Sequence, residues 1–248
     1  MRIAINGIKL YYQKLGTGAP LLLLHGHHYD GAMFDKLMSP LSLYYTVYAL
    51  DMRGHGLSTG EPADHYKTEV DDVIAFAEQL HLKSFYVYGF DAGGLIAMLL
   101  AVERPELVKK IIVAGTFVNG AGIRPYHYLT EGLSRFVNRD RDSKVELTES
   151  YLSTKQLSQL PMPVLCVVGE RDWVKVAHVR WYSQHIPKGR LILMPRQTHT
   201  SYTVHSLKML DLIKDFCQSS EDHREIETTT GKSSDQEENK NESDDLRC

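Results

Sequence analysis

Tyr88-Gly89-Phe90-Asp91-Ala92-Gly93-Gly94 is the stretch on which the fold turns. Before it, Phe85 to Tyr88 is a short apolar run of strand character. After it, Leu95 to Val102 is apolar on every side, as in a buried helix, and stops near Pro105. Gly-x-Asp-x-Gly between a strand and a helix describes a sharp turn with Asp91 at its tip. A side chain there is pushed into an exposed, strained position. Small residues two before and two after it let the strand and helix approach, and Gly89 and Gly93 supply them. Aspartate tolerates the left-handed backbone geometry of such a tip better than most residues. The positive end of the following helix dipole favours an ionised carboxylate. Gly-rich turns of this kind also cradle phosphates or simply pack, so the tip alone leaves the chemistry open.

Working outward, strand and helix alternate. Ile3 to Ile5, Asn6-Gly7 and Ile8 to Tyr12 read as a hairpin, since Asn-Gly suits a type I′ turn. Pro20 to Leu24, Tyr45 to Leu50, Lys110 to Ala114, Val164 to Val168 and Leu191 to Met194 read as strands. Val70, Val73, Ile74 and Ala77 share one helical face, and Met209, Leu212, Ile213 and Phe216 define a final amphipathic helix. This order predicts an α/β fold with a largely parallel sheet covered on both faces. In such sheets the chemistry sits at the carboxyl ends of strands.

Three more of those ends carry reactive residues. Asp172 follows one buried strand in Gly169-Glu170-Arg171-Asp172, and His199 follows the last strand. With Asp91 they run in the chain order nucleophile, acid, histidine. His25-Gly26-His27-His28 ends an early strand, and the main-chain N–H of His27, paired with that of Ala92, would form an oxyanion hole. The three histidines lack an acidic or histidine partner at ligand spacing, so no metal and no cofactor is expected.

These segments, with Asp51-Met52-Arg53-Gly54-His55-Gly56-Leu57-Ser58, resemble the α/β-hydrolase fold superfamily over residues 1 to about 217. The resemblance implies an eight-stranded, mostly parallel sheet with helices on both faces. It also implies a triad of Asp91, His199 and Asp172, an oxyanion hole from the His27 and Ala92 amides, and a lid between strands six and seven. Here that lid, residues 119–160, is short. Asp51 and Arg53 match a segment that is mainly structural in the family. Two departures stand out: the elbow serine is absent, and no glycine directly precedes His199.

Aspartate in place of serine redirects the chemistry. Carboxylate attack on an ester carbonyl would give a high-energy anhydride. Attack on an sp³ carbon displaces halide or opens an epoxide and leaves an ordinary ester, which water activated by His199 can cleave. The resemblance is therefore to the aspartate-nucleophile branch, the epoxide hydrolases and dehalogenases. Dehalogenases usually carry tryptophan beside the nucleophile, where this chain has Ala92. Epoxide hydrolases use lid tyrosines as acids, and Tyr126, Tyr128 and Tyr151 lie in the lid stretch. Tyr126 and Tyr128, with His28 on the early loop, are the expected substrate contacts. Two alternatives stand beside this: an esterase-like hydrolase of a carbonyl substrate, and a non-catalytic binding protein on the same fold.

Charge and composition bound the rest. Lys plus Arg is 28 against 31 for Asp plus Glu, a balance that gives no support to a nucleic-acid partner. The longest aliphatic run, Leu21 to Leu24, is far short of a membrane span, and the N-terminal stretch carries no signal-peptide run. Three cysteines without metal-ligand spacing suggest a reducing, cytoplasmic setting. Residues 219–248 hold ten acids and four bases with Ile226 and Leu246 as the large aliphatics, too little to offset the entropy of ordering. The expectation is a hydrolase domain over 1–218, an acidic disordered tail over 219–248, and a small-molecule substrate.

Overall fold

Eight strands form one sheet in the order β1-β2-β4-β3-β5-β6-β7-β8 in the computed structural model, which describes residues 1–63, 65–127 and 151–219. The strands are β1 (Arg2–Ile5), β2 (Ile8–Leu15), β3 (Ala19–Leu24), β4 (Tyr45–Leu50), β5 (Phe85–Phe90), β6 (Val108–Ala114), β7 (Val164–Gly169) and β8 (Gly189–Met194). β1 and β2 are the antiparallel hairpin, turned at Asn6 and Gly7 with φ of 42° and 78°. From β4 onward the pairing is parallel. Six helices accompany the sheet among the described residues: α1 (Asp35–Leu41), α2 (Tyr66–Gln79), α3 (Ala92–Glu103), α4 (Thr154–Ser158), α5 (Val176–His185) and α6 (Leu210–Gln218). This is the α/β-hydrolase fold that the motifs predicted.

Strand alternation divides the core in two. Leu22, Leu24, Val87, Ile111 and Cys166 face α2, α3 and α5, while Leu21, Leu23, Tyr88, Ile112 and Leu165 face α1 and α6. Both faces are dry, so the central strands read as continuous apolar runs.

Three helices differ from the sequence expectation. α3 starts at Ala92 rather than Leu95, because the helix includes Gly93 and Gly94 despite their low propensity. α1 carries Pro40 inside its seven residues, which hid it. α5 buries His178, Val179, Tyr182 and Ser183, a half-polar face with no clean apolar stripe. Residues 128–150 of the expected lid and 220–248 of the expected tail lie outside the described residues. Among those described, no helix is long and apolar enough to cross a membrane.

Candidate active site

β5 ends at Phe90 and α3 begins at Ala92, so Asp91 is the whole of the turn between them. Its backbone sits at φ 53°, ψ −119°. The φ is positive, but ψ is far from the about +47° of the left-handed well, so the expected left-handed geometry is not found and aspartate's tolerance of it is not what holds the turn. A conformation this rare costs on the order of 1–3 kcal/mol and must be enforced by its surroundings. The Asp91 N–H donates to the Ala114 carbonyl at 2.9 Å. Its own carbonyl accepts from Thr116 Oγ1 at 3.0 Å and from the Gly94 N–H at 3.1 Å. A Cβ on Gly93 would overlap the carbonyl of Leu24, so β3 and α3 can approach only with glycine there.

The turn sets the Asp91 carboxylate, 4% exposed, at the carboxyl edge of the sheet. Oδ2 accepts from the His27 main-chain N–H at 3.3 Å. Ala92, as first residue of α3, has an N–H with no intrahelical acceptor. Oδ1 is buried, takes no hydrogen bond among the described residues, and lies 4.0 Å from His199 Nε2. That separation is too long for a direct hydrogen bond and leaves the two groups to be bridged by a water or a substrate atom.

His199 is oriented from its other side. Its Nδ1 lies 2.8 Å from Asp172 Oδ1. With a carboxylate as acceptor, Nδ1 carries the proton and Nε2 turns its lone pair toward Asp91. Asp172 is fully buried, and its Oδ1 also accepts from the Val174 N–H at 2.9 Å. Burial disfavours the charged imidazole, but the charge and hydrogen bond of Asp172, with the charge of Asp91, outweigh it and raise the His199 pKa above its ordinary value. Asp91→Asn removes one of those charges. The His199 ring should then titrate at lower pH than in the wild type, as followed by NMR of the imidazole protons. An unmoved or raised pKa would contradict the 4.0 Å proximity.

Aromatic rings fix the imidazole in place. Phe90 lies 4.7 Å from the His199 ring and Trp173 lies 4.3 Å from it. Trp173 is in turn stacked on His127 at 4.0 Å and flanked by Phe117. Gly115, at φ 58°, leaves the space that a Cβ would take from the His199 ring. Tyr29 packs edge-on against Phe90 at 5.8 Å, and its phenol pKa is raised by burial and by the Asp91 charge. Trp173 and Tyr29 each directly follow a motif residue, and that adjacency was the signal available for finding them.

The other expected residues fall as follows. His25 is buried and locked: Nε2 accepts from the Met52 N–H at 2.9 Å while Nδ1 pairs with the Gly26 carbonyl, and burial drives its pKa down to about 3. Both nitrogens being committed, it is not a metal ligand. His28 is exposed at φ 64°, with its ring 6.4 Å from that of His27. Tyr126 is 53% exposed. Tyr128 lies outside the described residues. Tyr151 packs edge-on against Tyr66 and, with it, walls a cavity of about 440 Å³ between α2 and α3 that none of Asp91, Asp172 and His199 lines. Asp51 holds its loop by accepting from the Gly31 and Leu57 N–H groups, a structural role.

A family model described as the alpha/beta hydrolase fold matches residues 19–141. The serine hydrolase BPHL of Mus musculus is 27% identical, with 88% of this chain and 86% of that protein covered. The pimeloyl-[acyl-carrier protein] methyl ester esterase of Aliivibrio salmonicida is 23% identical over 84% of this chain and 96% of its own length. Among solved structures, the enol-lactonase from Burkholderia xenovorans LB400 superimposes with a TM-score of 0.74 at 17% identity, covering 88% of this chain and all of that one. The chain has the α/β-hydrolase fold and is a hydrolase.

Proposed function

We propose that this hydrolase works by covalent catalysis through Asp91, on a small epoxide or halogenated substrate, with His199 as base and Asp172 as its orienting acid. One observation carries the reading: the Asp91 carboxylate supplies its own occupant for the His27 N–H. An ester-cleaving site keeps that donor for the substrate carbonyl oxygen. Here Oδ2 already sits on it at 3.3 Å, and the buried Oδ1 faces His199.

The steps follow from those positions. Oδ1 attacks an sp³ carbon, the bond to halide or ring oxygen breaks, and its electron pair leaves with that atom. An epoxide oxygen needs a proton; in this reading the phenol of Tyr29, whose ring packs edge-on against Phe90 next to Asp91, donates it and regains a proton from water. The resulting alkyl ester has Oδ2 as its carbonyl oxygen, already in place beside the His27 amide. Water then gives its proton to His199 Nε2 and attacks the Asp91 carboxyl carbon. Negative charge gathers on Oδ2; collapse breaks the bond from the carboxyl carbon to Oδ1, which leaves with the substrate carbon and takes the proton from His199 Nε2 to become the product hydroxyl. In the same reading residues 1–218 are the hydrolase domain, 119–160 its short lid and 219–248 an acidic appendage. The buried free thiols of Cys166 and Cys217 accord with a cytoplasmic setting.

A second reading has its own support. The sequence relatives are named as a serine hydrolase and a methyl ester esterase, which favours a carbonyl substrate hydrolysed directly with Asp91 as base. Single turnover in heavy-oxygen water separates the two. Covalent catalysis places the label in the Asp91 peptide and not in the first product molecule. A labelled first product with an unlabelled Asp91 would end the covalent mechanism.

A further inference from the structure

Resting on the reading of the His27 amide as the oxyanion donor, we propose that Tyr66 is a positioning residue for that donor, acting through the His27 imidazole. Tyr66 is the first residue of α2 and is 3% exposed. Its Oη lies 2.8 Å from His27 Nε2, across 39 residues of sequence. The His27 backbone at the other end of that side chain holds Asp91 Oδ2. Tyr66 is itself braced, edge-on to Tyr151 with ring centroids 4.9 Å apart. Its helix is anchored by buried Val70, Val73 and Phe76 and by the Asp72 ion pair with Arg53. His28, next along the loop, is held at positive φ. A non-glycine residue at positive φ persists where its surroundings enforce it, and the Tyr66 bond to the neighbouring His27 is one such constraint on the loop.

The two chemical steps should feel this tie unequally. During alkylation negative charge leaves Asp91, so a donor on Oδ2 gains nothing in the transition state. During ester hydrolysis Oδ2 becomes the oxyanion, and the same donor is at its most useful. A residue that merely supports the fold would slow both steps together.

The test uses the full chain and an epoxide and alkyl-halide panel, with adduct formation and decay followed by intact mass in single turnover. Tyr66→Phe should leave formation within about twofold and slow decay by about 10- to 100-fold, a part of the 10²–10³ seen when an oxyanion donor is removed outright. His27→Ala cuts the same bond from the other side while keeping the main-chain N–H, and should slow decay similarly. The double variant should be no worse than either single, since both remove one interaction. Thermal melts run beside the kinetics identify any variant that fails to fold, and the other single variant then carries the test. Equal slowing of both steps, or a Tyr66→Phe effect that persists undiminished in the His27→Ala background, overturns the role of Tyr66. Normal decay in Tyr66→Phe while His199→Gln accumulates adduct overturns that role alone. If His199→Gln forms no adduct with any panel member, the nucleophile reading falls and the Tyr66 role with it.

Discussion

Replacing His199 by glutamine should turn a cycling enzyme into one that reacts once and stops. Alkylation draws on the Asp91 carboxylate alone, whereas release needs a base for water. Glutamine keeps polar atoms near Asp172 but has no lone pair basic enough to take the water proton. We expect one substrate consumed per active site (with one halide released where the substrate is a halide), a stable mass increase on the Asp91 peptide, and steady-state turnover lower by about 10²- to 10⁴-fold, the scale on which general bases act. The fold should survive, because the Phe90 and Trp173 rings that flank His199 remain. Unimpaired turnover in this variant would remove His199 from the mechanism. Lost turnover with no adduct would point to the second reading, in which Asp91 and His199 act together on water.

The largest stability effect should come from Arg53→Ala. Asp72 is fully buried, and Arg53 meets it with two bonds, Nε to Oδ2 at 2.6 Å and Nη2 to Oδ1 at 2.8 Å. Asn6 from the hairpin turn adds a third at 2.9 Å, so the carboxylate ties β1, α2 and the segment after β4 together. Deleting the guanidinium leaves a buried charge with one neutral donor, and such losses cost about 3–5 kcal/mol. By contrast, Lys67 and Asp71 form a pair that is 60% and 46% exposed, and breaking it should cost under about 1 kcal/mol. Urea midpoints at unchanged slope would measure both. An Arg53→Ala midpoint close to that of Lys67→Ala would show that water or a rearranged partner rescues Asp72.

The elements most legible in the sequence are those whose signal is local. Asn6-Gly7 encodes its own turn through the φ values that residue pair accepts. Leu21 to Leu24 and Val164 to Val168 announce buried strands because both faces of a parallel sheet are dry. α1 and α5 were not legible, since Pro40 and the polar face around His178 carry no periodic apolar stripe. Gly89, Asp91 and Gly93 specified the elbow because steric bulk at a strand-to-helix turn is a short-range constraint.

What the sequence determined by itself was therefore the set of strand ends and the candidate site residue on each: His27, Asp91, Asp172 and His199. What only the tertiary structure decided was how those ends meet. Pairing β3 directly beside β5 brings the His27 amide to Asp91 Oδ2. Seating His199 between Phe90 and Trp173 points Nε2 at Oδ1. The ψ of −119° at Asp91, the Tyr66 bond to His27 and the space left at Gly115 belong to the same class. Each depends on groups from separate elements being pressed together by burial of the two faces of the sheet. Chain order and composition carry no record of that packing, because contacts between distant residues are chosen by the whole core rather than by neighbours in sequence.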